Sequence, residues 1–324
     1  MATNNSSPNT SSSTCPLFDD LPRETWRGIN DLYMWEGFWY RLPHLVAAIA
    51  AQSSFKPRDD DIVLASSMKT GTTWLKALIP TIMNPNARLA GHEDDDNYDP
   101  LIKNHPNELI PSLEMQIFAE KSTYHLSAMP SPRLFRTHLP YKMLPVSLRS
   151  SGCKMVYITR NPKDAFVSLW HFINSVRTSE QGPFPLAETF NKFCNGVHVC
   201  GPFHDHVLEY WKESLKRPDK ILFMKYEEMK RDPSGEVKKL AAFLGRPFGE
   251  EEEEVDKVLW RCSLERMKSL EVNQNGVEPW VGIPKSAYFR LGVVGDWKNN
   301  LTLEMKERLD GITSSKLAGS GLDL

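Results

Sequence analysis

Four short apolar runs, each ending in polar or turn-forming residues, organise this chain: DIVLA at 61–65, RLFRTH at 133–138, KMVYITR at 154–160 and ILFMKY at 221–226. They are rich in Val, Ile, Phe and Met, so each predicts a buried β-strand. Three lead into residues that can open a helix: Thr72–Lys76 and onward, Pro162–Phe172 with proline at a permitted first-turn position, and Glu227-Glu228-Met229. Strand followed by helix, repeated, predicts a single α/β domain with a central parallel β-sheet flanked by helices on both faces.

No linker or internal repeat interrupts that pattern. The acidic HEDDDNYDP (92–100) and the proline-punctuated NHPNELIPSLE (104–114) read as connections. GEEEEEVDKVLWRC (249–262) reads as the solvated start of a helix, because carboxylates favour helix N-termini. Near the front, TWRGINDLYMWEGFWYRLPHLVAAIAAQSSF (25–55) is dense in aromatic residues and predicts helical or irregular packing, most of its rings serving the core. Residues 1–17, rich in Ser, Asn and Thr, read as a disordered tail, which leaves 18–324 as the folded domain.

Composition narrows the class. The 324 residues are 40% hydrophobic and 25% charged, as in an ordinary globular chain, and a formal net charge of −2 gives no global attraction to nucleic acid or an anionic membrane. The longest apolar segments, such as LPHLVAAIAA (42–51), fall well short of the roughly twenty residues that span a bilayer. Five cysteines, Cys15, Cys153, Cys194, Cys200 and Cys262, are odd in number and thinly spread, which suits a reducing compartment. The N-terminal stretch lacks the apolar core of a signal peptide, so the expected location is the cytoplasm.

Candidate chemistry begins at the end of the first run. In LASSMKTGTTWLK (64–76) a strand would deliver Ser66–Gly71 to the N-terminus of a helix, where backbone N–H groups and the helix dipole favour an anion. Lys69 adds positive charge, Gly71 permits close backbone approach, and Thr70, Thr72 and Thr73 offer hydroxyls. The loop is P-loop-like but lacks the opening glycine of G-x-x-x-x-G-K-[ST].

A second strand end, MVYITRNPKDAFVSLWHF, projects Arg160 at the carboxyl edge of the sheet, where open α/β folds bind ligands, with Ser168 about two helical turns on. A salt bridge from Arg160 to Asp164 is the alternative. YFRLGVVGDWKNNLT contributes Arg290 in a glycine-punctuated loop that can wrap a phosphate. His138, at the end of the second strand, is the leading general base among the nine histidines, since imidazole titrates near neutrality. CNGVHVCGPFHDH gathers Cys194, His198, Cys200, His204 and His206 without the usual paired zinc spacing, so no metal site is expected there.

Taken together, KTGTTWLKAL (69–78), THLPYKMLP (137–145), YITRNPKDAFVSLWHF (157–172), KYEEMKRDP (225–233) and FRLGVVGDWKNNLT (289–302) resemble, in order, the signature regions of soluble sulfotransferases. The likeness is greatest to the plant cytosolic branch, which includes flavonol, brassinosteroid, hydroxyjasmonate and desulfoglucosinolate sulfotransferases. It implies transfer of a sulfuryl group from 3′-phosphoadenosine 5′-phosphosulfate (PAPS) to a small-molecule hydroxyl, with adenosine 3′,5′-bisphosphate (PAP) as product and no metal.

By that resemblance Lys69, Thr70, Gly71, Thr72 and Thr73 cradle the 5′-phosphosulfate. Trp74 and Tyr226 contact adenine, and Arg160, Ser168 and Arg290-Leu291-Gly292 grip the 3′-phosphate. His138 is the catalytic base, and Lys69 supports the leaving oxygen. Leu291 stands where the family usually has lysine, Met68 where it has proline, and Leu264 and Cys262 where it has Phe and Thr.

Arg136, Tyr141 and Phe172 are the expected acceptor contacts, with a flavonoid phenol favoured and a brassinosteroid or other steroid hydroxyl next. Lys298, Thr302, Leu303 and Glu307 approximate a dimerisation motif of animal relatives, which implies a homodimer; the same residues also suit an amphipathic helix start. From other classes, a nucleoside-phosphate kinase would need a complete phosphate loop and a magnesium carboxylate, and an inactive nucleotide-binding protein could dispense with His138.

Overall fold

Residues 18–26, 30–84, 86, 99–120, 122, 124–249 and 252–324 are described by a computed structural model. The expected tail at 1–17 and most of the acidic connection at 92–100 lie outside the described residues.

The four apolar runs form one parallel sheet: β4 (Ile62–Ser66), β5 (Leu134–Thr137), β6 (Lys154–Thr159) and β7 (Ile221–Lys225), in the order β5-β4-β6-β7. Alternation along each strand sends side chains to two separate cores. Val63 and Ala65, Phe135, Met155 and Tyr157 join one cluster, whereas Ile62, Leu64, Val156, Ile158 and Met224 join another on the opposite face. The second face is covered by α2 (Thr72–Met83), whose Leu75, Leu78 and Ile82 are fully buried, each stabilising the fold by about 1.5–3 kcal/mol. On the other face lie α3 (Pro162–Asn174) and α4 (Phe203–Lys216), through side chains such as Phe166, Phe203 and Tyr210.

Because all four strands run the same way, their carboxyl ends meet at one edge: Ser66, Thr137, Thr159 and Lys225. The chain lays β5 on one side of β4 and β6 on the other, so the connections diverge at the end of β4 and leave a crevice there.

The aromatic front segment departs from expectation. It forms a three-stranded antiparallel sheet, β1 (Arg23–Trp26), β2 (Asn30–Trp35) and β3 (Phe38–Arg41), followed by α1 (Leu42–Ser54). The turn between β2 and β3 is Glu36-Gly37, both left-handed at φ 52° and 79°, the conformation that joins twisted hairpin strands without splaying them. The rings are core residues as expected, with Trp26, Phe38 and Tyr40 buried in the larger cluster.

Candidate functional site

At the carboxyl edge of the parallel sheet lies a cavity of about 680 Å³. One end is built from the loop between β4 and α2. Lys69 holds φ 66° and Gly71 φ 114°, two left-handed residues that curl the loop around the start of the helix. A Cβ at residue 71 would sit 2.8 Å from both Ile158 Cδ1 and Tyr226 Cδ2, so only glycine fits. No side chain caps α2 at Gly71, which leaves the positive end of the helix facing the cavity.

The three threonines do different work. Thr73 lines the cavity. Thr72 also lines it and pairs with the Ser66 hydroxyl at 2.7 Å. Thr70 does not present its hydroxyl as expected: it is buried and donates to the carbonyls of Ser67 (2.9 Å) and Ile158 (3.0 Å), tying the loop to β6.

Lys69 extends its ammonium over the Phe172 ring at 3.9 Å from the centroid. Burial, then the charges of Arg290 and Arg160, lower its pKa to about 7. Arg160 donates to the Val293 carbonyl at 2.6 Å, approaches Asp164 at 3.4 Å and lies over the Tyr226 ring at 4.5 Å. The alternative salt bridge is therefore present, yet Asp164 is spoken for twice more, accepting from the backbone N–H groups of Gly295 (2.7 Å) and Trp297 (3.0 Å). That carboxylate fastens the 290–297 loop onto α3 beside Arg160. Sequence reading treated Asp164 only as a partner for Arg160, because its backbone contacts lie more than 130 residues away.

Arg290 pairs with Asp296 at 2.7 Å, and Ser168, Leu291 and Gly292 complete this part of the lining. Leu264 packs against Gly292, where a Cβ would meet its Cδ2 at 2.6 Å, whereas Cys262 is buried away from the cavity with its thiol toward Thr81. Trp74 meets Tyr226 edge-on at 6.1 Å.

Around the end of β5 the cavity changes character. His138 is half-buried, and its Nδ1 lies 2.9 Å from the Ser66 carbonyl oxygen; a carbonyl can only accept, so Nδ1 carries the proton and Nε2 the lone pair. Burial lowers the imidazole pKa to about 3, against the opposing effect of that hydrogen bond. The backbone is fixed as firmly as the ring. Glu114, on a single π-helical turn at Leu113–Ile117, accepts from the His138 backbone N–H (2.8 Å) and the Thr137 hydroxyl (2.9 Å), and His206 Nε2 donates to the His138 carbonyl at 3.0 Å. Glu114 carries no sequence motif that could have revealed it.

The expected acceptor contacts separate. Phe172 and Arg136 line the cavity. Arg136 is held by two hydrogen bonds, Nε to the Ile110 carbonyl (2.9 Å) and Nη2 to Gln116 (3.0 Å). Tyr141 does not line it: the ring is buried edge-on to Tyr210 at 5.5 Å, and its hydroxyl accepts from Arg217. Three residues after the histidine along an irregular chain, the backbone has already turned it toward α4. Missed by the sequence reading are Lys76, which donates to Asn107, and Tyr288, Trp280 and Glu278 from the segment before Arg290.

The lining accommodates a polyanion bearing an aromatic group. Among the described residues the buried Nε1 of Trp74 and the Nε atoms of Arg160 and Arg290 have no hydrogen-bond partner, an unfavourable state that a ligand acceptor would relieve. Among the described residues no cluster of His, Cys, Asp or Glu forms a metal site; of the histidines in CNGVHVCGPFHDH, His206 bonds the Tyr157 hydroxyl and His204 meets the Thr313 hydroxyl.

A family model described as "Sulfotransferase domain" matches residues 59–321. "Cytosolic sulfotransferase 5" of Arabidopsis thaliana is 44% identical over 313 residues, covering 95% of this chain and 95% of the relative. The crystal structure of an Arabidopsis thaliana putative steroid sulphotransferase aligns at TM-score 0.75 and 33% identity, over 100% of this chain and 99% of the other. A mouse sulfotransferase complexed with PAP aligns at TM-score 0.66 and 30% identity, over 89% of this chain and 95% of that one. No described helix is long and apolar enough to cross a membrane.

Proposed function

This chain belongs to the sulfotransferase family and is a PAPS-dependent sulfotransferase of the plant cytosolic kind, and on that premise we propose which residues carry the reaction and what the acceptor is. The observation that carries the proposal is the His138 tautomer: Nδ1–H is held by the Ser66 carbonyl, so a neutral imidazole offers Nε2 to the cavity that Lys69 also enters.

Bound donor supplies an activated sulfuryl group whose leaving side is an adenosine bisphosphate. Lys69, the backbone of residues 69–73 and the uncapped end of α2 hold the phosphosulfate. Arg160, Ser168, Arg290 and Gly292 hold the 3′-phosphate, and Trp74 and Tyr226 hold the adenine. Thr70 serves by tying the loop to Ser67 and Ile158 with its hydroxyl rather than by offering that hydroxyl to the donor. His138 Nε2 takes the acceptor's hydroxyl proton as its oxygen attacks sulfur, and Lys69 stabilises the negative charge that develops on the leaving oxygen. Positioning and charge stabilisation supply the catalysis.

For the acceptor we favour a phenol of the flavonoid class. The support is aromatic: Phe172, Tyr288 and Trp280 line the cavity, Phe172 and Tyr288 meeting edge to face at 4.9 Å, and offer ring surface to a flat acceptor. A steroid hydroxyl is the second reading, favoured by the putative steroid sulphotransferase among the structural relatives. A homodimer rests on the resemblance at Lys298–Glu307 and on the 68% exposure of Leu303, while Thr302 caps the C-terminal helix Leu303–Leu317 through the Met305 N–H. Incubation with radiolabelled PAPS and separate flavonol and steroid acceptors tests the assignment. Preferential labelling of flavonols supports it, and labelling confined to steroids replaces it with the second reading.

A further inference from the structure

We infer that the acceptor carries, besides the hydroxyl to be sulfated, a carboxylate or comparable anion, and that Arg41 selects for it. The inference rests on the hydroxyl-acceptor reading above and narrows it.

Four basic side chains line the cavity outside the proposed donor contacts: Arg41 at the end of β3, Lys76 on α2, Arg136 on β5, and Lys230, which is exposed to solvent and lies over the Trp74 ring at 5.7 Å. Among the described residues none of the four is ion-paired. Lys76 is satisfied by the Asn107 side chain, and Arg136 by the Ile110 carbonyl and Gln116. The two carboxylates in the same lining are also taken by neutral donors: Glu114 by Thr137 and the His138 N–H, Glu278 by the Asn107 amide at 2.8 Å. Neither carboxylate is therefore serving Arg41.

Arg41 is the remaining group that is not exposed to solvent. It is half-buried, and among the described residues its guanidinium has no hydrogen-bond or ion-pair partner. Burial already lowers its pKa, which measures the unfavourable loss of water around the charge. A planar fork of N–H donors facing a cavity without an acceptor suits a carboxylate, which can bind it bidentately. His44, one turn along α1, also lines the cavity; burial and Arg41 hold its pKa near 4, so at neutral pH it is an uncharged imidazole able to add one hydrogen bond. Trp26, Val199 and Cys200 line the same cavity, and apolar walls strengthen such a pairing by excluding water.

The test compares 3-(4-hydroxyphenyl)propanoate, its methyl ester and 4-ethylphenol as acceptors for the full-length protein with labelled PAPS. We expect the acid to exceed the ester in kcat/KM by about tenfold, the scale of one charge-assisted pair. Arg41→Gln should bring that ratio close to one, and Arg41→Lys should restore part of it. Equal rates for acid and ester in the unaltered protein overturn the inference, as does a preference that survives Arg41→Gln. The comparison in the unaltered protein stands even where a variant fails to fold. Transfer to 4-ethylphenol but not to the acid defeats this inference alone, whereas transfer to none of the three defeats the phenol-acceptor reading beneath it.

Discussion

His138 donates its Nδ1–H to the carbonyl oxygen of Ser66 across 2.9 Å, so the side chain at the end of β5 takes its tautomer from the end of β4. A hydrogen bond between adjacent strand ends thus sets the direction in which the imidazole can accept a proton. Because burial holds its pKa at about 3, the ring is neutral across the whole physiological range. The expected profile of kcat/KM, measured with an acceptor whose hydroxyl ionises above pH 9, has no acid limb between pH 5 and 7 from this residue. A limb centred near 6.5 would show that the imidazole titrates as an exposed histidine does, contrary to this geometry.

Glu114 is a positioning residue in this account, since it touches His138 only through the backbone N–H and reaches Thr137 through the hydroxyl. Glu114→Ala strands two buried donors, each costing about 1–3 kcal/mol in stability. It should also lower kcat by about tenfold or more while changing the KM for PAPS little, with partial recovery in Glu114→Gln, whose remaining amide oxygen still accepts. An equal loss in kcat and in PAPS affinity would mean that Glu114 supports the whole fold rather than the histidine.

Lys69 should couple donor binding to protons. With a pKa near 7 it is largely neutral at pH 8.5, and a polyanion in the loop favours its charged form. PAP binding at pH 8 should therefore take up a proton, and affinity should weaken as pH rises above 7, by up to about tenfold per pH unit at the limit. Calorimetry in buffers of different ionisation enthalpy reads the uptake directly. Lys69→Met should abolish it, and an uptake of zero in the unaltered protein would contradict the lowered pKa.

Acid should unfold this protein early. Burial lowers the pKa values of His44, His198, His204 and His206 to about 4 and those of His105 and His138 to about 3. Their folded pKa values lie below the unfolded value, so the unfolded chain binds more protons and stability falls as pH drops from about 6.5 toward 4. Thermal melts across that interval should show a steadily declining Tm, and a flat Tm from pH 7 to 4.5 would refute the buried neutral state of these rings.

Much of this site could be read from residue order alone. That Ser66, His138, Arg160 and Tyr226 stand at or just past the strand ends follows directly from four apolar runs and the rule that parallel strands present their carboxyl ends together. What escaped was long-range or hidden in polar ambiguity. Glu114, Lys76 and Glu278 enter the cavity from a π-helical turn, the second turn of α2 and a loop before Arg290, positions that no spacing rule connects. Tyr141 was misjudged because proximity in sequence to His138 says nothing about which way an irregular segment turns. The front sheet was missed for a related reason: with aromatic residues on both sides of Glu36-Gly37, the alternation that marks a half-buried strand is obscured.

The central claim is that His138 performs proton transfer in a cavity whose other end holds the donor, and one paired measurement addresses it most directly. Sulfuryl transfer from labelled PAPS to a phenol and PAP binding by calorimetry are measured for the unaltered protein and His138→Ala. The account predicts that turnover falls by about 10²–10⁴-fold in the variant while PAP affinity stays within about a factor of two. Turnover near normal in His138→Ala would contradict it.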